Sequence, residues 1–216
     1  MFSIISHDLR NPLVTLRSYL ALADNDALAP EKKLKFKLQT INAVINTGDM
    51  LDNLLAWANM QIKNTHTSIV PVYLADCVWD TVQHVEAQAL PKKIVIHQHI
   101  EATTALGDYD IVAIALRNLV TNAIKYSEPG KIIYLLSSKE NERVRLTVKD
   151  EGIGLTREQI AGILSEKNIS TTGTQGEKGS GLGLFLVREL LQKINADLEI
   201  ESEPGKGSSF MIMMQA

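Results

Sequence analysis

His7 and Asp8 stand side by side near the start of the chain, with Asn11 one helical turn on and Pro12 behind it. A neutral imidazole keeps a nitrogen lone pair near pH 7 and can act as a nucleophile. A neighbouring carboxylate can hold its tautomer and accept its proton. On a helix Asn11 shares the face of His7, where its amide can orient a water against a modified imidazole. A solvated helix surface also carries such pairs, so the reading depends on what accompanies them.

Three further groups do. Asn118 and Asn122 are four apart and stack on one face of a helical pattern. Asparagine is a poor mid-helix residue because its side chain competes for backbone hydrogen bonds, so two at this spacing ask for a reason. A carboxamide oxygen can ligate Mg2+. Lys125 can meet a phosphate as a point charge, and Tyr126 can lie near a base. The plain alternative is a helix with polar outer positions. Asp150-Glu151-Gly152-Ile153-Gly154 follows a strand pattern. Its aspartate is placed to accept from an exocyclic amine, and its glycines let the backbone approach a flat ring, although many turns contain D-x-G-x-G. Gly179, Gly181 and Gly183 open a helix, where free amides and the positive dipole end make an anion seat. The spacing is G-x-G-x-G, no strand leads into it and no GKS or GKT follows, which disfavours a dinucleotide fingerprint and a P-loop.

The elements that must position these groups fall into two parts. Ile5, Leu9, Leu13, Leu16, Leu20 and Ala23 have helical spacing, bent at Pro12. After Asp24-Asn25-Asp26 and Pro30, a near-heptad pattern runs through Leu34, Leu38, Ile41, Ile45, Leu51, Leu55, Ala58 and Ile62. Two helices and a short loop make a hairpin that cannot enclose its own apolar stripe, so a homodimeric four-helix bundle is expected over residues 1–66. A polar joint at residues 63–68 then precedes a second domain, 67–216. There the patterns predict an extended start at Ile69–Val72 and a helix over Leu74–Leu90 with Cys77, Val78, Val82 and Val85 inward. A strand over Lys93–Ile100 follows, then a helix over Asp108–Ser127 with Asp108 as N-cap. Two strands, Lys131–Ser138 and Arg143–Lys149, come next. Thr156–Lys178 is an irregular stretch, followed by the helix after Gly183 and a closing hairpin, Asp197–Ser202 and Ser208–Met213. The fold class is α+β. His97 and His99 share a strand face that reads as exposed, His84 has no evident partner and His66 reads as a linker residue.

Composition excludes several classes. The 216 residues are 45% hydrophobic and 22% charged with a net charge of −3, which leaves no nucleic-acid footprint. One cysteine, Cys77, excludes an intrachain disulfide and reads as a buried inert thiol. No apolar run is long enough for a membrane span, so no membrane contact and a cytoplasmic location are expected. With His7 so near Met1, a sensing region is expected to lie outside this chain, and the parent protein's membrane attachment with it.

Together, a His-Asp helix, an N-x-x-x-N helix, D-x-G-x-G, a lid and G-x-G-x-G-L resemble the H, N, G1 and G2 boxes of the bacterial sensor histidine kinases, over essentially the whole chain. The resemblance implies a dimerisation and phosphotransfer hairpin followed by the GHKL-type (Bergerat) α/β sandwich shared with DNA gyrase and MutL. It implies ATP and Mg2+ as cofactors, with Asn122 the metal ligand and Asn118 beside it. Lys125, Tyr126, Gly152, Gly154, Thr174 and Leu182 would line the nucleotide. Asp150 would accept from the adenine amine, and the backbone at Gly179, Gly181 and Gly183 would cradle phosphates. His7 Nε2 would attack the γ-phosphate with Asp8 as base, and Asn11 would support phosphatase activity towards a response regulator receiver domain, the phosphoryl acceptor. The family often has a phenylalanine-rich box between the glycine motifs; here that region reads Ala161-Gly162-Ile163-Leu164. A non-catalytic dimeric signalling module is the alternative of a different class.

Overall fold

The computed structural model describes residues 68–165, 173–174 and 182–216, and of the preceding chain positions 14, 17–19, 31–34, 36–37, 40–41, 44, 47–48 and 51. The chain divides into two compact units, Met1–Met60 and Gln61–Ala216. In the first unit every described position is helical. Thr40 is buried and its hydroxyl donates to the Phe36 carbonyl one turn back (2.9 Å). Leu34, Ile41 and Leu51, all in the near-heptad pattern, are exposed by 59%, 44% and 47% in the single chain. His7, Asp8, Asn11, Pro12 and the joint up to residue 67 lie outside the described residues.

The second unit is one mixed sheet with a layer of helices. Its elements are β1 (Val70–Tyr73), α1 (Leu74–Ala89), a 3-10 turn (Leu90–Lys92), β2 (Val95–Ile100), β3 (Thr104–Gly107), α2 (Tyr109–Tyr126), β4 (Ile132–Glu140) and β5 (Arg143–Asp150). After these come α3 (Arg157–Leu164), α4 (Leu182–Lys193), β6 (Asp197–Glu203) and β7 (Gly207–Gln215). The seven strands run in the order β1-β3-β7-β5-β4-β2, with β6 also on β7. Among the described strand pairs only β2–β4 is parallel.

Strand parity builds the core. Leu135, Val148 and Phe210 form one cross-strand row, and Ser137, Leu146 and Ile212 the next. All six are buried, as are Leu116, Leu119, Val120, Ala123, Val187 and Leu190 of the helices. Asp108 caps α2 as its sequence position predicts, accepting from the amides of Asp110 (3.1 Å) and Ile111 (3.4 Å). Cys77 is fully buried and free, and desolvation pushes its thiol up to about 12, which makes it inert. His97 and His99 are exposed, the first stacked on Tyr134 and the second bonded to Glu101.

Three sequence expectations need correction. The irregular stretch from Thr156 contains α3, started by a capping box in which Thr156 and Gln159 satisfy each other's backbone amides. A helix of eight residues is too short to show a clear period. The strand expected from Lys93 begins at Val95, because Lys93 has a left-handed backbone (φ 52°) where the chain leaves the 3-10 turn. On α1 the inward position expected of Val82 is held by Thr81, which is buried while Val82 is only half-buried.

Candidate functional site

Asp150 is the last residue of β5, two residues beyond Val148 and therefore on the same, helix-facing side of the sheet. It is buried to 4% exposure. Its Oδ1 accepts from the amides of Gly152 (2.8 Å) and Ser208 (3.2 Å). Both bonds fall on one oxygen, which leaves Oδ2 to accept from a ligand. Burial raises the carboxyl above its ordinary range, partly offset by the two amides. The fold thus holds one carboxylate of a D-x-G-x-G loop inside its apolar layer.

The loop after Asp150 is fixed from two sides. The Ile153 amide donates to the carbonyl of Tyr126 at the end of α2 (3.1 Å), and the Gly205 amide donates to the carbonyl of Ile153 (2.8 Å). The Leu155 amide donates to Ser202 Oγ (2.8 Å), whose own proton reaches the Gly207 carbonyl (2.8 Å). A side chain at Gly152 would overlap the Tyr126 carbonyl, and one at Gly154 (φ 67°) the Glu203 carbonyl. These glycines are therefore required by close backbone packing as well as by any ligand.

Asn118, Asn122, Lys125 and Tyr126 all lie on α2 and are half-buried. Asn118 Nδ2 donates to the Ile114 carbonyl (2.9 Å), which turns its oxygen outward from the helix. A Cβ added at Gly183 on α4 would sit 3.0 Å from that oxygen. The second glycine motif is thus brought against the asparagine face. Lys125 Nζ lies 5.1 Å from the centre of the Tyr126 ring. Leu182 is the first residue of α4. Gly179 and Gly181 lie outside the described residues.

Thr174 is placed against the end of α2. Its amide donates to the Lys125 carbonyl (3.2 Å), and its hydroxyl is directed at the carbonyls of Ser127 (3.0 Å) and Lys125 (3.2 Å). Two contributors are absent from the sequence motifs. Ser208 supplies an amide to Asp150 from the closing hairpin, and Lys92 is buried with its ammonium beside Thr174. No short-range pattern marks either, and a lysine in Pro91-Lys92-Lys93 reads as solvated.

The residues present fit a purine nucleotide with a divalent cation. A buried carboxylate with one oxygen open to an amine and a carboxamide oxygen near a glycine motif supply a base acceptor and a hard oxygen ligand. Among the described residues no group of three or more His, Cys, Asp or Glu side chains is placed to hold a metal ion.

A family model described as histidine kinase-, DNA gyrase B- and HSP90-like ATPase matches residues 107–216. The sensor-like histidine kinase ycf26 of Porphyra purpurea is 28% identical over 225 residues, covering 96% of this chain and 34% of that protein. Sensor histidine kinase WalK of Bacillus subtilis is 28% identical over 222 residues, covering 95% and 34%. The chain thus spans about a third of the length of these relatives. The fold is that of solved histidine kinases. ThkA in complex with the response regulator TrrA superposes with a TM-score of 0.69 at 19% identity, over 100% of this chain and 60% of that one. ShkA in complex with AMPPNP does so with a TM-score of 0.62 at 23% identity, over 99% and 46%.

Proposed function

The chain belongs to the histidine kinase-, DNA gyrase B- and HSP90-like ATPase family, and from that premise we propose that it is the catalytic core of a sensor histidine kinase, which phosphorylates His7 from ATP and passes the phosphoryl group to an aspartate of a response regulator. The observation that carries this reading is Asp150, a buried carboxylate with two backbone amides on one oxygen, in a loop bonded to the end of the asparagine helix.

In this reading Asp150 Oδ2 accepts from the adenine amine while the Gly152–Gly154 backbone lies along the ring. Lys125 and Tyr126 flank the nucleotide, and Gly183 and its neighbours seat the phosphates at the start of α4. The Asn122 carboxamide would hold Mg2+, which would supply positive charge against the phosphates. His7 Nε2 attacks the γ-phosphorus, the bond to the bridging oxygen breaks and ADP leaves. Asp8 takes the imidazole proton. The resulting phosphohistidine is the donor to the receiver-domain aspartate, and Asn11 orients the water that later hydrolyses the regulator's phosphoryl group. The chemistry is chiefly positioning and charge stabilisation.

A homodimer completes the hairpin, supported by the exposure of Leu34, Ile41 and Leu51 on the single chain. A regulator as acceptor is supported by the ThkA–TrrA complex, and ATP as donor by the AMPPNP complex of ShkA. Among the described residues no helix is long and apolar enough to cross a membrane, consistent with a core that works in the cytoplasm.

The test is incubation with γ-labelled ATP and Mg2+ beside His7→Ala. Acid-labile, alkali-stable label in the wild type and none in the variant is the expected result. Label retained by the variant would remove His7 from its role. Label released only as free phosphate would make the chain a plain ATPase, and bound nucleotide without turnover would make it a signalling scaffold.

A further inference from the structure

Lys92 is 4% exposed, a rare condition for a lysine. Its ammonium donates to the carbonyls of Ile124 (3.0 Å) and Lys125 (2.9 Å), approaches that of Ser127 (3.5 Å) and donates to Thr174 Oγ1 (2.9 Å). A helix leaves its last carbonyls unpaired, and they form the negative end of its dipole. At the end of α2 these carbonyls are satisfied from elsewhere in the chain: Ile124 by Lys92, Lys125 by Lys92 and Thr174, and Tyr126 by the Ile153 amide of the D-x-G-x-G loop. The turn so held carries Lys125 and Tyr126, and it abuts Gly152.

We infer that Lys92 is a positioning residue of the nucleotide site: its buried ammonium clamps the last turn of α2 to Thr174 and so fixes the Asp150–Gly154 loop against that turn. The inference rests on the nucleotide reading above. The role argued for Lys92 runs through the helix end. A buried cation surrounded by carbonyls offsets its own desolvation only while all its partners stay in place, so the clamp is sensitive to loss of any one. Thr174 is the partner that connects it to the segment between α3 and α4. Its hydroxyl accepts from Lys92 and donates to the same helix end.

The test measures binding of AMPPNP with Mg2+ and amide exchange at Ser127 and Ile153 in the full chain, for wild type, Lys92→Met, Thr174→Val and the double variant. Lys92→Met is expected to weaken AMPPNP about tenfold and Thr174→Val about threefold to fivefold, with the double variant no worse than Lys92→Met, because groups in one network are not additive. Exchange at both amides is expected to quicken in each variant, since the amides close the same helix end. Asp108→Ala, which loosens the opposite end of α2, serves as the control for stability loss alone and is expected to leave AMPPNP affinity unchanged.

Affinity and exchange in Lys92→Met at wild-type values would overturn the inference, as would singles whose effects multiply in the double variant. If Lys92→Met does not fold, Thr174→Val decides: wild-type affinity and exchange in that variant would overturn it. A wild-type chain that does not bind AMPPNP would instead overturn the nucleotide reading and the positioning role together, while the exchange data would still report whether the clamp exists.

Discussion

The two ends of α2 are closed by different means. At its start one residue, Asp108, accepts from two amides within the next three positions. At its finish the partners are Lys92, Thr174 and Ile153, which come from three separate stretches and meet only in the folded chain. The first end is a local cap, worth about 1 kcal/mol in typical helices. The second is a junction where helix, glycine loop and Thr174 fix one another, and the residues proposed to hold the nucleotide gather there. Damage at the start is expected to cost stability alone, and damage at the finish to cost binding as well.

The largest effect is expected from Gly152→Ala. Its Cβ would overlap the Tyr126 carbonyl and lie 2.8 Å from Asp150 Oδ1, so backbone at the junction must shift. A destabilisation of about 3 kcal/mol is expected, at the upper end for overpacking. Denaturant unfolding and AMPPNP titration check it, and a variant with near-wild-type values in both would show that the junction is not tightly built.

Asp150→Asn separates binding from stability. Oδ1 can still accept from Gly152 and Ser208, but the amide then presents its NH2 to the adenine amine, donor against donor. Affinity is expected to fall roughly 10- to 100-fold, the worth of one charged hydrogen bond. Stability at pH 7 is expected to be unchanged or higher. Burial raises the folded pKa of Asp150 above its unfolded value, so the wild type's stability relative to the variant is fullest in acid and declines as pH rises through the folded pKa. Thermal unfolding of both proteins between pH 4 and pH 8, the ordinary carboxylate range and above, reads that sign directly. A wild type that gains on the variant with rising pH would show that the two amides outweigh desolvation.

The smallest effect is expected from Asp108→Ala, about 1 kcal/mol of stability with no change in AMPPNP affinity. A loss of affinity matching that of Gly152→Ala would erase the contrast between the two ends and make α2 a single rigid lever.

Much of this was legible in the sequence, and the reason is range. Asp108 reads as an N-cap because its partners are its neighbours. The alternation of β4 and β5, the turn at Asn141 and the closing hairpin follow from residues a few positions apart. The capping box at Thr156 was equally local, but α3 behind it, at eight residues, is too short for a helical period to stand out. Asn118, Asn122, Asp150 and the glycines were recognisable by type and spacing. The sequence by itself therefore determined most of the elements, α3 and β3 excepted, and which residues can do chemistry, because helical and strand periods, caps and turns act over short windows. Only the tertiary structure decided that Asp150 faces the helix layer with one oxygen engaged, that Gly152 packs on the Tyr126 carbonyl, and that Lys92 is buried. Lys92 and Thr174 are 82 positions apart, and no local preference joins them. Desolvation and the unmet carbonyls at the end of α2 bring them together, and those forces exist only once the sheet and helices have closed around that end.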